Sequence, residues 1–161
     1  MEKLKLYLDT SILSAYFDYS KPLRQLITQK WFENEAEKFN LFVSVITIEE
    51  IEKIYNEEKR SNNKSLILSH RIEVLKFTEE AKELAEEYMK QGAIPDSEPE
   101  DAYHIAIAAL NGIEALASWN YKHIVSLNPI RKIHEINKKR EYILIEIGSL
   151  EMFGGSKYGN L

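Results

Sequence analysis

The 161-residue chain has no cysteine, only six glycines and four prolines, and no apolar run near the roughly 20 residues that a membrane span requires. Without thiols there is no disulfide framework, zinc–thiolate site or cysteine nucleophile, and a reducing compartment is the natural home. Any bound metal must be held by oxygen or imidazole. The first glycine is Gly92, so neither a P-loop nor a dinucleotide fingerprint follows the first strand, and kinase, GTPase and dehydrogenase chemistry fit poorly. No basic segment followed by an apolar stretch and a small-residue cleavage site opens the chain, so a soluble, cytoplasmic protein is expected.

What is present is ordinary for one globular domain: 44% hydrophobic and 29% charged residues, with no internal repeat. Residues 1–150 are expected to form a single domain and 151–161, ending in FGGSKYGNL, a flexible tail. The net charge of −5 argues against tight nucleic-acid binding through bulk charge. The charges are nevertheless segregated. From Glu79 to Asp101 acids outnumber bases 9 to 2, and from Lys122 to Arg140 bases outnumber acids 6 to 1. That pattern fits two solvated helix faces of opposite sign, or a basic border beside an acidic pocket.

Strand-like and helix-like segments alternate along the chain. LKLYL at 4–8 leads into a short helical segment from Asp9 to Phe17, and Pro22 opens a helix running to about Phe39. LFVSVI at 41–46 reads as a strand, and Thr47 as the cap of the next helix. Further helices are expected at 62–70, from Thr78 to Gln91 with Gly92 as its stop, from Asp101 to Gly112, and over 129–139. Further strands are expected at 72–77, 113–119 and 141–147. Near-continuous apolar strands alternating with helices indicate an α/β fold: a three-layer α/β/α arrangement around a mostly parallel sheet of four to five strands. In such sheets ligands bind beyond the carboxyl ends of the strands.

That rule gives weight to Asp9 after the first strand, Glu49 and Glu50 beyond the second, and Asn120 after the strand ending near Trp119. Asp101 opens a helix that can face the same crevice. Each acid also has a local explanation. Asp9 suits a turn or helix cap, Thr47 with Glu50 and Ser97 with Glu100 have capping-box spacing, and Asp101 is favoured by the helix dipole. These separate explanations do not require three acids and an amide to fall at ends that one sheet would bring together. Like charges held close oppose folding unless a cation sits between them. Carboxylates with an amide suit Mg²⁺ or Mn²⁺ better than zinc, and such an ion makes in-line attack on a phosphodiester feasible near neutral pH. Ser11 can hydrogen-bond Asp9 or cap the helix. His104, three residues after Asp101, is expected in or beside the pocket, and His123 to orient the loop or contact substrate. Trp119 and Tyr121 flank Asn120, where they can pack or stack on a base.

With these residues in view the chain resembles the PIN-domain family, and within it the VapC-type toxins of toxin–antitoxin operons. YLDTSIL resembles that family's opening strand with its first acid at Asp9. SVITIEEI is similar to its second strand and helix, with Glu50 as the acid; Glu49 beside it leaves that assignment open. DAYHIAIAAL resembles the third-acid helix starting at Asp101, and SWNYKHIV the fourth segment at Asn120. The resemblance implies a Mg²⁺- or Mn²⁺-dependent ribonuclease in which Asp9, Glu50, Asp101 and Asn120 form the catalytic and metal site and Ser11 and His123 meet the RNA. It further implies products with a 5′-phosphate and a 3′-hydroxyl, a homodimer, and an antitoxin protein that quenches activity. The alternatives are a free-standing RNA-processing nuclease and a non-catalytic binding protein of the same fold.

Overall fold

A computed structural model describes residues 2–154. Five strands form one sheet, all parallel: β1 (Leu4–Leu8), β2 (Phe39–Ser44), β3 (Glu73–Leu75), β4 (Ala115–Ala117) and β5 (Glu146–Gly148), in the order β3-β2-β1-β4-β5. Seven α-helices connect and cover them: α1 (Thr10–Tyr16), α2 (Pro22–Asn34), α3 (Val45–Glu52), α4 (Glu57–Ser69), α5 (Glu79–Lys90), α6 (Pro99–Leu110) and α7 (Leu127–Lys139). The expected three-layer α/β/α architecture is observed, with five strands. No helix among the described residues is long and apolar enough to cross a membrane.

The strands are apolar on both faces because helices bury both. Leu6 and Leu8 of β1 join Val43, Ala115 and Ala117 in a core with Ile12, Trp31, Phe32 and Leu66, under α1, α2 and α4. Tyr7, one residue out of phase, faces the opposite core with Leu116, Ile147, Leu84, Tyr88, Ile105 and Ile133, under α5, α6 and α7. Period-2 alternation therefore sorts residues between two cores rather than between core and solvent.

Several expected boundaries move for identifiable reasons. Val45 and Ile46, read as strand, open α3, because Ser44 turns the chain as its N-cap and accepts the Ile46 amide at 3.2 Å. Thr47 is thus the third residue of that helix, not its cap, and its hydroxyl accepts the Ser44 amide at 3.3 Å. The helix from Pro22 stops at Asn34, and a 3₁₀ turn at Ala36–Lys38 leads directly into β2. The helix expected at 62–70 begins earlier, behind Asn56, whose side chain accepts the Lys59 amide. The last strand is confined to Glu146–Gly148, while Ile143 and Ile145 offer their carbonyls to the side chains of Asn137 and His134. Ser97 does not cap α6; Glu98 occupies that position without a side-chain cap bond. Thr78 caps α5 as expected.

The two charge blocks meet each other. Arg140 at the end of α7 lies 3.5 Å from Glu87 of α5, so part of the segregation is complementarity between neighbouring helices rather than a border around a pocket. Of the expected tail, residues 155–161 lie outside the described residues; Phe153, just before them, is buried and its carbonyl accepts the Trp31 indole N–H at 2.8 Å.

Gly112 ends α6 at φ +64°, with nothing within 4 Å of where a Cβ would sit. Gly112→Ala should therefore cost about 1 kcal/mol from the left-handed backbone alone, and Gly112→Asn less. Urea unfolding of the two variants checks the order.

Candidate functional site

In an open α/β sheet the crevice opens where the strand order reverses. From β1 the chain proceeds to β2 and β3 on one side, then returns to β4 and β5 on the other, so the switch point lies beyond the ends of β1 and β4. Asp9 follows β1 and Ser118 follows β4, and the Asp9 amide donates to Ala117 O at 3.0 Å, extending the pairing to the rim. The crevice is thus built by the sheet itself.

Asp9 stands at the N-cap position of α1, yet its side chain makes no cap bond. Its carboxylate, 4% exposed, turns into the crevice instead. Oδ2 accepts the hydroxyls of Ser118 at 2.7 Å and Ser11 at 2.8 Å, while Oδ1 lies 3.6 Å from His104 Nε2. Ser11 Oγ also accepts the Trp119 amide at 2.9 Å, and Ser118 Oγ the Asn120 amide at 3.0 Å. The two serines therefore lock the β4 loop onto Asp9.

Asp101, in the first turn of α6, faces Asn120, whose Nδ2 donates to Asp101 Oδ2 at 3.1 Å while its Oδ1 accepts the His123 amide at 3.0 Å. Burial, and then the charges of Asp9, Glu98 and Glu50, push the Asp101 carboxyl from the ordinary 3.8 up to about 7; the His104 charge acts the other way. This is the behaviour of a buried acid with other acids nearby.

Glu50 is held differently from the capping box that its spacing suggested. Its Oε1 accepts the Thr10 hydroxyl at 2.8 Å and faces His104 Nε2 at 2.6 Å, so it reaches across to β1–α1 rather than back to its own helix terminus. Burial opposes its charge, but the hydrogen bond and charge of His104 and the Thr10 bond hold its carboxyl below the usual range. Glu49 is exposed. Of the two neighbouring acids the crevice receives Glu50.

His104 lies fully buried at the back of the crevice, as its position three residues after Asp101 suggested. Its Nδ1 is 2.6 Å from the Tyr7 hydroxyl, which donates to Ser44 Oγ at 2.7 Å. Burial alone would lower its pKa. The Tyr7 oxygen, the Glu50 hydrogen bond and the Asp9 and Glu50 charges outweigh that and hold it well above its usual value. As an imidazolium it donates from both nitrogens, to Glu50 and to Tyr7, and the chain Glu50–His104–Tyr7–Ser44 is satisfied end to end. Tyr7, Thr10, Ser44 and Ser118 were not singled out from the sequence. The available signal was that Ser118 directly follows the end of β4 and Thr10 lies two residues past the end of β1; Tyr7 carried a weaker one, a polar tip on an otherwise apolar face of β1.

The available donors are carboxylate and amide oxygens. Among the described residues no three His, Asp or Glu side chains are grouped as a ready cage for an ion, and Glu50 is turned onto His104. What remains, the like-charged Asp9 and Asp101, fits a hard divalent ion of the Mg²⁺ type, which takes one or two carboxylates and keeps several waters.

Comparison with known proteins follows the same lines. Residues 6–123 match the family model for the PIN domain, and the chain belongs to that family. In fold it is similar to VapC20 from Mycobacterium tuberculosis, described as a sarcin–ricin loop cleaving toxin, with TM-score 0.59 and 16% identity over 74% of this chain and 92% of that one. It is also similar to VapBC2 from Rickettsia felis bound to a fragment of its promoter DNA, with TM-score 0.53 and 16% identity over 89% and 97% of the two chains. No curated protein matches the sequence.

The raised pKa of Asp101 has a defined consequence without metal. Between 3.8 and about 7 the native state keeps a proton that the unfolded chain has released, so this group's contribution is intact below 3.8 and is lost as pH climbs towards 7. The loss is at most roughly 1.4 kcal/mol per pH unit. Asp101→Asn should flatten that decline and raise the melting temperature of the EDTA-treated protein at pH 8, as differential scanning calorimetry from pH 4 to 8 would register.

Proposed function

We propose that this chain is a divalent-metal-dependent endoribonuclease, the toxin of a toxin–antitoxin pair, which leaves a 5′-phosphate and a 3′-hydroxyl. The observation that carries the reading is that one hydrogen-bonded loop joins two acids at the sheet's switch point, Ser118 bonding Asp9 and the Asn120 amide while Asn120 bonds Asp101; burial first, then the charges of Asp9, Glu98 and Glu50, push the Asp101 carboxyl to about 7. A site that raises the energy of its own charges in this way is adapted to a cationic ligand. The PIN-domain match and the two VapC-type neighbours support the same reaction class.

Asp9 and Asp101 would hold Mg²⁺ or Mn²⁺, with Glu50 reaching it through water and Asn120 in or beside the shell. Bound there, the ion would lower the pKa of the attacking water and offset charge on the phosphodiester. The remaining work falls to the chain. Ser11 and Ser118 occupy Asp9 Oδ2 and leave Oδ1 facing the crevice. Asn120 fixes Asp101 through its amide N–H. His104 keeps Glu50 ionised and oriented. Ser11 and His123 would meet the RNA. A small antitoxin protein covering the crevice and a homodimer complete the reading, and the VapBC2 neighbour supports the former.

Purified protein should cut single-stranded RNA with Mg²⁺, stop with EDTA, and lose at least about 100-fold in rate as Asp9→Asn or Asp101→Asn. Equal cutting by parent and variants would refute the assignment. Mn²⁺ supplies a separate readout: at a hundred times its Kd it should stabilise the native state by about 2.7 kcal/mol, and Asp9→Asn should abolish that gain. A non-catalytic protein whose acids serve folding alone would show no metal response in thermal unfolding.

A further inference from the structure

Beside the acids a second feature is built that the metal site does not use. A cleft of about 510 Å³ begins at Ser11 and Asn120 and runs along Lys21, Arg24, Trp119 and Tyr121, a size that holds a small ligand or one nucleotide unit; a second hollow of about 410 Å³ adjoins it across the last four of these residues. The cleft shares Ser11 and Asn120 with the crevice, so its occupant would be continuous with whatever lies over Asp9 and Asp101.

Its walls are specific. Trp119 is pinned edge-on, its indole N–H donating to Thr28 Oγ1 at 3.0 Å and its amide to Ser11 Oγ at 2.9 Å. Arg24 lies over the indole, 5.3 Å from the ring centroid. Tyr121 meets Trp119 at 60° with centroids 6.3 Å apart and, unlike the 5%-exposed Trp119, is 47% exposed. A rigid inner ring thus backs a solvent-facing outer one. Lys122 joins Lys21 and Arg24 around the opening, three cations against two acids, Asp18 and, at the far end, Glu151. None of the three cations forms a salt bridge among the described residues, and Asp18 Oδ1 is taken by the Ser20 amide and hydroxyl. In a chain of net charge −5 this is a local positive rim around an exposed aromatic, the combination that takes a stacked base and its flanking phosphates. A similar hollow along the outer side of α7 is also cationic but shares no residue with the crevice, and its one ring, the His134 imidazole, is tied to the Ile145 carbonyl.

We infer that this cleft is a single-stranded RNA subsite next to the scissile position, in which Tyr121 stacks on one base and Arg24 and Lys122 contact phosphates. The inference rests on the ribonuclease reading for its substrate class and on the cleft geometry for its location. The rings bear no fixed hydrogen-bond code for a base, so the subsite supplies affinity and register rather than strict sequence choice.

The test is binding of a fluorescein-labelled 2′-O-methyl RNA hexanucleotide, which cannot be cut, to the full chain, read by fluorescence polarisation across a salt series. Tyr121→Ala should weaken binding about tenfold and Tyr121→Phe should restore it. Arg24→Gln with Lys122→Gln should weaken it at low salt and reduce the slope of log Kd against log salt by about 1.4, two phosphate contacts on a single strand. On cleavable RNA the same variants should raise KM about tenfold with kcat within a factor of two. Thermal melts matching the parent exclude misfolding as the cause. Binding and salt slopes equal to the parent's would overturn the subsite and hand the cleft to a protein segment. If the parent binds the strand through Tyr121 yet leaves RNA intact with Mg²⁺, the ribonuclease reading fails while the subsite stands. If the parent cuts and the variants bind as it does, the subsite alone fails.

Discussion

The architecture of the crevice depends on one half-buried contact, the 2.6 Å approach of His104 Nε2 to Glu50 Oε1. Three carboxylates, Asp9 after β1, Glu50 on α3 and Asp101 at the start of α6, repel one another, and low dielectric strengthens that repulsion. His104 offsets part of it from beneath, held by Tyr7 and Ser44 on the other core-facing side of the sheet. An ion pair of this kind contributes little net stability once desolvation is counted. Its effect is on orientation: it commits Glu50 to one direction and leaves Asp101 as the acid whose charge is least tolerated.

This division of labour separates the acids by environment rather than by residue type. Glu50 is depressed by a hydrogen-bonded cation, whereas Asp101 is elevated by burial and like charge. Helix α6 delivers both ends of the contrast, with Asp101 at its first turn and His104 three residues on. Its remaining length, with Ile105, Ile107 and Ala108 fully buried, anchors them in the core. Positions fixed by core packing vary little with solvent conditions, which is what a charged site needs if its geometry is to persist without a ligand.

Much of this was legible before any coordinates. The alternation of apolar strands and helices specified a covered parallel sheet, and strand-end logic brought Asp9, Asp101 and Asn120 to one edge. Less was legible where two local rules competed. Val45 and Ile46 have strand propensity, but Ser44 caps a helix there, so tertiary context decided. The Thr47–Glu50 spacing matched a capping box, yet Glu50 reaches to Thr10 and His104, partners distant in sequence that no local pattern encodes. Ser11 was legible as a partner of Asp9, but Ser118 beside it and Thr10 on Glu50 were hidden because such residues are common in turns. The opposite charges of α5 and α7 were visible as blocks, but their meeting at Glu87 and Arg140 required the fold.

The sheet's outer margins deserve a last consideration in terms of self-association. Its edge strands β3 and β5 are three residues each and both open with glutamate, so neither offers the long, flat, uncharged ladder onto which another chain could add. With both faces roofed by helices and both edges short and charged, addition of a foreign strand to the sheet is discouraged. A protein that gathers repelling acids at the carboxyl-end rim of its sheet can therefore tolerate the local cost without inviting aggregation elsewhere.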